Sequence, residues 1–559
     1  MNSDNFKYTD ERFADIMMLR YRLENFDSLS LRQKKLVYCL SQAALFGRDI
    51  TFDQFGKYNL VIRSVLEAVY MNYEGSRETD DFKAFEVYLK RVWFSNGIYH
   101  HYGSDKFKPG FTPQFFINAV KSLDCRVLPL ADGQSVDELC DTLVPVIFDP
   151  DVYPVKVCKK SDVDLVQSSA CNFYENVTQK EVEDYYASMK KTDGGDLLSY
   201  GLNTTVVKND GKVSECVWKV GGKYGAAIEK IVFWLQQALN VAENDKQQNV
   251  IELLISYYKS GLLRDFNEYC IEWVKEKDSL VDFINGFIEV YDDPLGLKGT
   301  WEGLVEYRDI EGTKRTKVIS ENAQWFEDHS PIDPRFKKKQ VNGVSANVIC
   351  AAMLGGGEYP STAIGINLPN ADWIRAVHGS KSVTISNIIS AYNEAARGNG
   401  FDDEFVIDEE TKDMIRKYGD LCDVIHTDLH ECLGHGSGQL LPGVDPDALK
   451  AYGNTIEEAR ADLFGLYYSA DVKMVELGLL PDKDAYKAGY YSYIMNGMLT
   501  QLARINNGHD IEEAHMRDRA LIARWCYEQG KNDNVIELVS NNGKTFVRIN
   551  DYEKLRVLF

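Results

Sequence analysis

His430-Glu431-Cys432-Leu433-Gly434-His435, inside DVIHTDLHECLGHGSGQLL (423–441), is the stretch from which the rest of the chain is read. Two neutral imidazoles and an adjacent carboxylate are the make-up of a zinc hydrolase site, the nitrogens binding the ion and the carboxylate handling a proton. In the common H-E-x-x-H motif the histidines are four apart and share one face of a helix. Here they are five apart, about 500° of a regular helix, which leaves them about 140° out of line. For both to reach one ion the helix must carry an extra residue, as in a π-bulge, a feature that favours functional sites. Gly434 stands where the backbone has to give way.

A third ligand decides between a metal site and a chance pairing. Downstream runs Gly453-Asn454-Thr455-Ile456-Glu457-Glu458-Ala459-Arg460-Ala461-Asp462, an acidic helix start. Glu458 and Asp462 are i,i+4 and share a face, and Ala459 and Ala461 leave room for close packing. Thr455 and Glu458 also fit a capping box, which would occupy Glu458 locally. His426, four before His430, is a further candidate. Spacing leaves the three open.

HECLGH followed by EEARAD resembles the H-E-x-x-G-H and E-E-x-R-A-[ED] pair of the dipeptidyl peptidase III family, the M49 zinc exopeptidases. The resemblance implies that His430, His435 and Glu458 bind one Zn²⁺ per chain and that Glu431 is the catalytic carboxylate. It implies that Glu457 and Asp462 accept the histidine N–H groups, fixing their tautomers. Asp462 stands where Glu is also found, so its contact is expected to be longer or water-bridged. Cys432 occupies a variable position, and beside the metal carboxylate it is expected to make activity sensitive to thiol reagents.

Further blocks extend the resemblance. Asn285-Gly286-Phe287-Ile288-Glu289-Val290-Tyr291-Asp292-Asp293-Pro294, then Thr300-Trp301-Glu302-Gly303, reads by pattern as an apolar element running into a proline turn, with Tyr291 half-buried. It resembles the family's G-F-I-E-x-Y-x-D-P segment and the F-E-G that follows. This implies that Glu289 takes the peptide's α-ammonium, that Tyr291 donates to the scissile carbonyl, and that Glu302 lines the cleft. AIGINLPN (363–370) reads as a strand ended by a turn, able to receive an extended peptide by β-addition. It resembles G-I-N-[IL]-P-N, which implies that Gly365, Asn367 and Asn370 bind the peptide's first residues. His515 alone reads as an ordinary helix histidine. Its segment, Gly508 to Arg519, resembles the family's A-H-M-x-x-R, implying that His515 stabilises the transition state and Arg519 supports the cleft.

Composition sets the class. The 559 residues are 44% hydrophobic and 12% aromatic, enough for several cores. Net charge is −22 with no basic block, which argues against nucleic acid or an anionic membrane and suits a peptide's ammonium end. No apolar run reaches a spanning length, and the N-terminus MNSDNFKYTDERF is polar, without a signal peptide's core. Eleven scattered cysteines read as reduced thiols. The cytoplasm is the expected compartment, though a trimmed signal would look identical.

Residues 10–125 read as helical. Residues 126–225 read as β-rich pieces (CRVLPL, LVPVIF, NTTVVK, SECVWKV). Residues 224–280 read as helical, and beyond 397 the chain reads as almost wholly helical. The histidine pair of Tyr99-His100-His101, with no acidic or thiol companion, reads as a packed or surface pair rather than a metal site. The glycines of VGGKYGAA lack a P-loop ending. The chain stops at NDYEKLRVLF inside a helical pattern where family members continue with a substrate-contacting arginine, so truncation is expected. The fold class expected is α+β in two lobes across a wide cleft. A mixed α/β substrate lobe (1–310 and 350–396) with a small β-rich core faces a helical zinc lobe (311–349 and 397–559). The function implied is zinc-dependent release of N-terminal dipeptides by a monomer. A zincin-like endopeptidase and a non-catalytic peptide binder are the alternatives. Preferred dipeptides are not legible, and zinc is inferred from ligand type alone.

Overall fold

A computed structural model describes residues 6–101, 103–160, 162–193, 198–341, 346–360, 363–444, 449, 452–505, 511 and 514–559. Gly508–Asp510 and Glu512–Glu513, part of the segment around His515, lie outside them, while His515 and Arg519 lie within.

The fold is α+β in two lobes, with two large apolar cores. The first packs helices Leu31–Phe46, Gly225–Leu239, Asp245–Ser260 and Leu263–Lys275 on one five-stranded sheet through residues such as Leu40, Ile228, Leu254, Phe283 and Leu304. The sheet runs in the order Val281–Phe287, Trp301–Arg308, Ala346–Gly356, Lys381–Ile385, Gly365–Leu368. Only the Ala346–Gly356 and Lys381–Ile385 pair is parallel. Gly365–Leu368 is an edge strand, with Gly365 opposite Thr384 and Asn367 opposite Ser382. A satellite core of helices between 48 and 148 adjoins the first.

The second core, from Ile319 to Leu555, surrounds the HECLGH stretch. Its long helix Glu409–Leu429 starts where the Asp408 side chain accepts the Thr411 N–H, with Glu409 and Glu410 in the first turn against the helix dipole. Ile425 and Leu429, four apart, bury one stripe of it completely.

Three expectations about elements are corrected. LVPVIF is not a strand but the last turns of helix Val136–Phe148, which a Ser135/Glu138 capping box starts. A short apolar run cannot be told from a buried helix end by periodicity. NTTVVK and SECVWKV do pair, as Thr204–Asn209 and Lys212–Val217. A hairpin, Thr9–Phe13 with Ile16–Leu19, begins the supposedly helical N-terminal segment. A second hairpin, Ile536–Asn541 with Lys544–Ile549, interrupts the helical C-terminal part. Among the described residues no helix is long and apolar enough to cross a membrane, and the cysteines are free thiols.

Candidate metal centre

The Glu409–Leu429 helix continues into a π turn, His430–Gly434, in which the His435 N–H donates to the His430 carbonyl at 3.1 Å. That five-residue bond is the inserted residue the spacing demands. It swings His435 back beside His430, the rings edge to face at 4.7 Å. Gly434 permits a second approach: a Cβ there would lie 2.7 Å from Ala461 Cα and 2.8 Å from Ala461 Cβ and O. The turn therefore rests on the bare backbone of the Gly453–Ser469 helix, the helix that carries Glu457, Glu458 and Asp462.

That helix begins at Gly453 with no side-chain cap. Thr455 sits inside the first turn, so the capping-box use of Glu458 is not made. Glu458 instead faces both histidines, its Oε2 3.2 Å from His430 Nε2 and 3.7 Å from His435 Nε2. Four ligands about 2.05 Å from a tetrahedral ion stand about 3.3 Å apart, close to the two Glu458–histidine separations, and all three ligand atoms lie within 4.8 Å of one another. Glu458 Oε2 is buried and without a hydrogen-bond partner of good geometry. An orphaned carboxylate oxygen between two imidazoles is the donor set of a divalent cation, and the residues fit one. His426 is on the other side: its Nε2 meets Asp462 Oδ1 at 3.0 Å, away from Glu458.

The outward nitrogens are fixed. His430 Nδ1 donates to Asp462 Oδ1 at 2.7 Å and His435 Nδ1 to Glu457 Oε1 at 2.9 Å. This leaves both Nε2 lone pairs aimed at the Glu458 oxygen. The expected longer or water-bridged Asp462 contact is corrected, because the contact is direct. The Glu458-to-Asp462 spacing lets one helix face clamp both nitrogens of His430.

The electrostatics call for positive charge. Burial disfavours a charged His430, yet the hydrogen bond to Asp462 and the close carboxylates of Glu458, Asp462 and Glu431 push its pKa up to about 10. A divalent ion supplies the same positive charge with the ring neutral. Burial would raise the Glu457 carboxyl, but His435 and Arg460 overcome it and hold it down at about 2. Burial would likewise raise Asp462, and its histidines hold it well below the usual range.

Sequence reading missed two residues here. Arg460 forks onto Glu457, Nε to Oε2 at 2.9 Å, and donates to Ser437 O at 3.0 Å. Its position three after Glu457 could have shown it. Tyr493 donates to Asp462 Oδ2 at 2.8 Å from a helix 31 residues on, which no local pattern signals.

Of the remaining predicted site residues, His515 Nε2 lies 3.4 Å from Glu458 Oε2, and Arg519 Nε lies 3.9 Å from Asp462 Oδ2. Cys432 is fully buried. Glu431 faces the edge strand: a Cβ on Gly365 would lie 3.4 Å from Glu431 Oε1. The strand runs on to Leu368, Pro369 and Asn370, which line a cavity of about 440 Å³ together with Glu289, Tyr291 and aromatic residues such as Phe266 and Trp273. Asn367 and Asn370 are exposed. His430, His435 and Glu458 are not part of that cavity's lining, so the candidate site has two centres joined by one strand. Tyr291 is 76% exposed rather than half-buried, because it sits past the strand end, in the turn towards Pro294. Glu302 is buried beneath the site, its Oε1 accepting the Glu289 N–H at 3.3 Å. Burial and the neighbouring Glu358 and Glu289 raise its carboxyl well above the usual range.

A model of peptidase family M49 matches residues 159–451. Dipeptidyl peptidase 3 of Dictyostelium discoideum is 26% identical over 549 residues, covering 85% of this chain and 74% of that protein. Dipeptidyl peptidase 3 of Homo sapiens is 22% identical over 601 residues, covering 95% and 80%. The solved structure of DPP III from Caldithrix abyssi superposes with a TM-score of 0.70 at 20% identity, covering 95% of this chain and 86% of that one.

Proposed function

The chain belongs to peptidase family M49 and is a metallopeptidase of the dipeptide-releasing type, and from that premise we propose that it cleaves dipeptides from the free N-terminus of oligopeptides with one Zn²⁺. His430, His435 and Glu458 hold the ion. The reading is carried by one observation: the edge strand that passes under Glu431 at Gly365 runs directly to the Glu289 cavity. A peptide laid along that strand advances about 3.4 Å per residue. With its scissile bond at Glu431, its amino end lies two residues away, about 7 Å, beside Asn367. Main-chain pairing along the strand is indifferent to side chains, so the enzyme counts from the end of its substrate.

When bound, zinc polarises the scissile carbonyl and lowers the pKa of a water from 15.7 to about 7. Glu431 accepts the proton of the attacking water and passes it to the leaving amine. Tyr291 and His515 donate to the developing oxyanion, Tyr291 being brought in as the lobes close on the peptide. Glu289 pairs with the α-ammonium, and Asn367 and Asn370 hold the first residues against the strand at Gly365. Glu302, whose carboxyl is pushed up by burial and by Glu358, supports Glu289 from below by accepting its N–H. Arg519 steadies Asp462 at the cleft wall. The proposed lobe boundaries at 310/311, 349/350 and 396/397 fall at the start of helix Ile310–Glu321, inside strand Ala346–Gly356 and at the end of helix Ser386–Ala396. Helix Ile310–Glu321 enters the second core through Ile319, and strand Ala346–Gly356 returns to the first sheet. The protein works as a monomer in the cytoplasm.

Mass spectrometry of products from one short peptide, free or acetylated at its N-terminus, tests the reading with zinc-loaded protein. Release of an intact N-terminal dipeptide from the free form alone is expected. Equal cleavage of both forms would make the enzyme an endopeptidase, and cleavage of neither would leave a binder.

A further inference from the structure

We propose that His426 is a positioning residue of the metal centre, clamping the Asp462 carboxylate that orients His430. The inference rests on the reading of His430, His435 and Glu458 as the metal ligands.

Each histidine ligand leans on one carboxylate, and each carboxylate needs a second hold. Glu457, which takes His435, is forked by Arg460. Asp462 has a shorter side chain and is 2% exposed, so water cannot complete its shell. Its Oδ1 takes two donors, His430 Nδ1 at 2.7 Å and His426 Nε2 at 3.0 Å, and its Oδ2 takes the Tyr493 hydroxyl at 2.8 Å. His426 thus does for Asp462 what Arg460 does for Glu457. One imidazole fixes the acceptor, and the acceptor fixes the tautomer and tilt of the next.

The seat of the ring is shaped for this use. His426 precedes His430 by one regular helical turn, so both rings reach the same oxygen from one face. On the facing helix a Cβ at Gly465 would lie 3.1 Å from His426 Nδ1 and 3.4 Å from its carbonyl, so any side chain there would push the ring by a few tenths of an ångström. Nδ1 is buried without a partner. The ring is therefore anchored through Nε2, and that nitrogen is spent on Asp462. His426 lies on the Nδ1 side of His430, while Glu458 and His435 lie on the Nε2 side, so it does not join their ion.

The test is a chelator-competition measurement of zinc affinity on the intact protein, for wild type, His426→Ala, His426→Gln, Asp462→Asn and the Ala/Asn double variant. His426→Ala is expected to raise the zinc Kd about 10–100-fold, the cost typical of removing a partner behind a metal ligand. Glutamine keeps an N–H that reaches Asp462, and His426→Gln is expected to return to within about twofold of wild type, the usual error of additivity. In the Asp462→Asn background, His426→Ala is expected to add less than about twofold, because its action runs through that carboxylate. Cobalt-loaded His426→Ala should keep the wild-type visible bands.

Unchanged affinity in His426→Ala would overturn the proposal. So would glutamine no better than alanine, or additive effects in the double variant, which a merely structural histidine would give. Altered cobalt bands would make His426 a ligand instead. A wild type that takes up no zinc would overturn the metal reading itself, a result none of the variant comparisons can mimic.

Discussion

Replacing Gly434 by alanine tests the architecture of the site at its tightest point. A Cβ at 434 would meet Ala461 at 2.7–2.8 Å, where ordinary carbon contacts are about 3.5–4.0 Å. Relief needs about 0.7–1.3 Å of separation between the π turn and the Gly453–Ser469 helix, because the atoms met are backbone and Cβ rather than a flexible tip. Those two segments carry opposite parts of the proposed ligand set, the histidines on one and Glu458 on the other. Metal–ligand distances tolerate about 0.2 Å, so a shift several times larger cannot leave all three ligands engaged. Overpacking of this kind costs about 1–3 kcal/mol of stability, and zinc affinity is expected to fall by at least the 10–100-fold seen for supporting residues. The assay is zinc content after dialysis against graded chelator, run beside the thermal midpoint. Gly453→Ala is the control on the same helix, since a Cβ there meets nothing within 4 Å. It is expected to hold zinc as wild type does. A Gly434→Ala protein with wild-type zinc affinity would refute the claim that this contact sets the ligand geometry.

Glu431→Gln is expected to keep stoichiometric zinc and lose about 10²–10⁴ in kcat; metal loss in that variant would contradict the division between ligands and proton carrier. Glu458→Ala should lose zinc in the same dialysis, and a retained equivalent would exclude the His430/His435/Glu458 triad. Glu289→Gln should raise KM for free peptides and narrow the gap between free and N-acetylated substrates; an unchanged gap would move the ammonium site elsewhere. Burial depresses the Lys298 pKa to about 7, though Glu215 and Asp293 partly offset it, and the ammonium is held by Thr204 Oγ1 at 2.9 Å and the Tyr186 hydroxyl. Between about pH 7 and the unfolded value near 10.4 the unfolded chain binds the extra proton, so this lysine's contribution makes stability rise with pH. Lys298→Met should flatten the rise in thermal midpoint between pH 7 and 9, and an equal rise in both proteins would exclude Lys298 as its source.

What the sequence made legible followed from how local each signal is. Histidines five apart demand an inserted residue, and the π turn supplies it within the six-residue motif itself. Glu458 could not be separated from a capping use by spacing, because the choice depends on where the helix starts. Starting at Gly453 puts Thr455 past the cap position. His426 read as a rival ligand because its spacing shows which face it shares. It does not show which side of the next ring it approaches, and Asp462, 36 residues on, decides that. LVPVIF misled because six apolar residues carry no period of their own, and the capping box that makes them helical lies eight residues earlier. Tyr291 misled because an aromatic beside a strand defaults to packing, whereas here the strand ends at Phe287 and the turn carries the ring outward.

The π turn has a further consequence for how this site tolerates change in chain length. Deleting one residue between the histidines would restore the common four-residue spacing and a regular helix, which on paper converts one ligand arrangement into another. The same deletion would rotate everything after it by about 100° and draw it back by about 1.5 Å. Gly434 would leave Ala461, and the bond that ties Gly438 to buried Glu327 would have to break with it. A substitution here is felt at one atom, whereas a frame-preserving deletion is felt by a whole lobe. The number of residues between the two histidines is therefore locked by neighbours that never touch the ion.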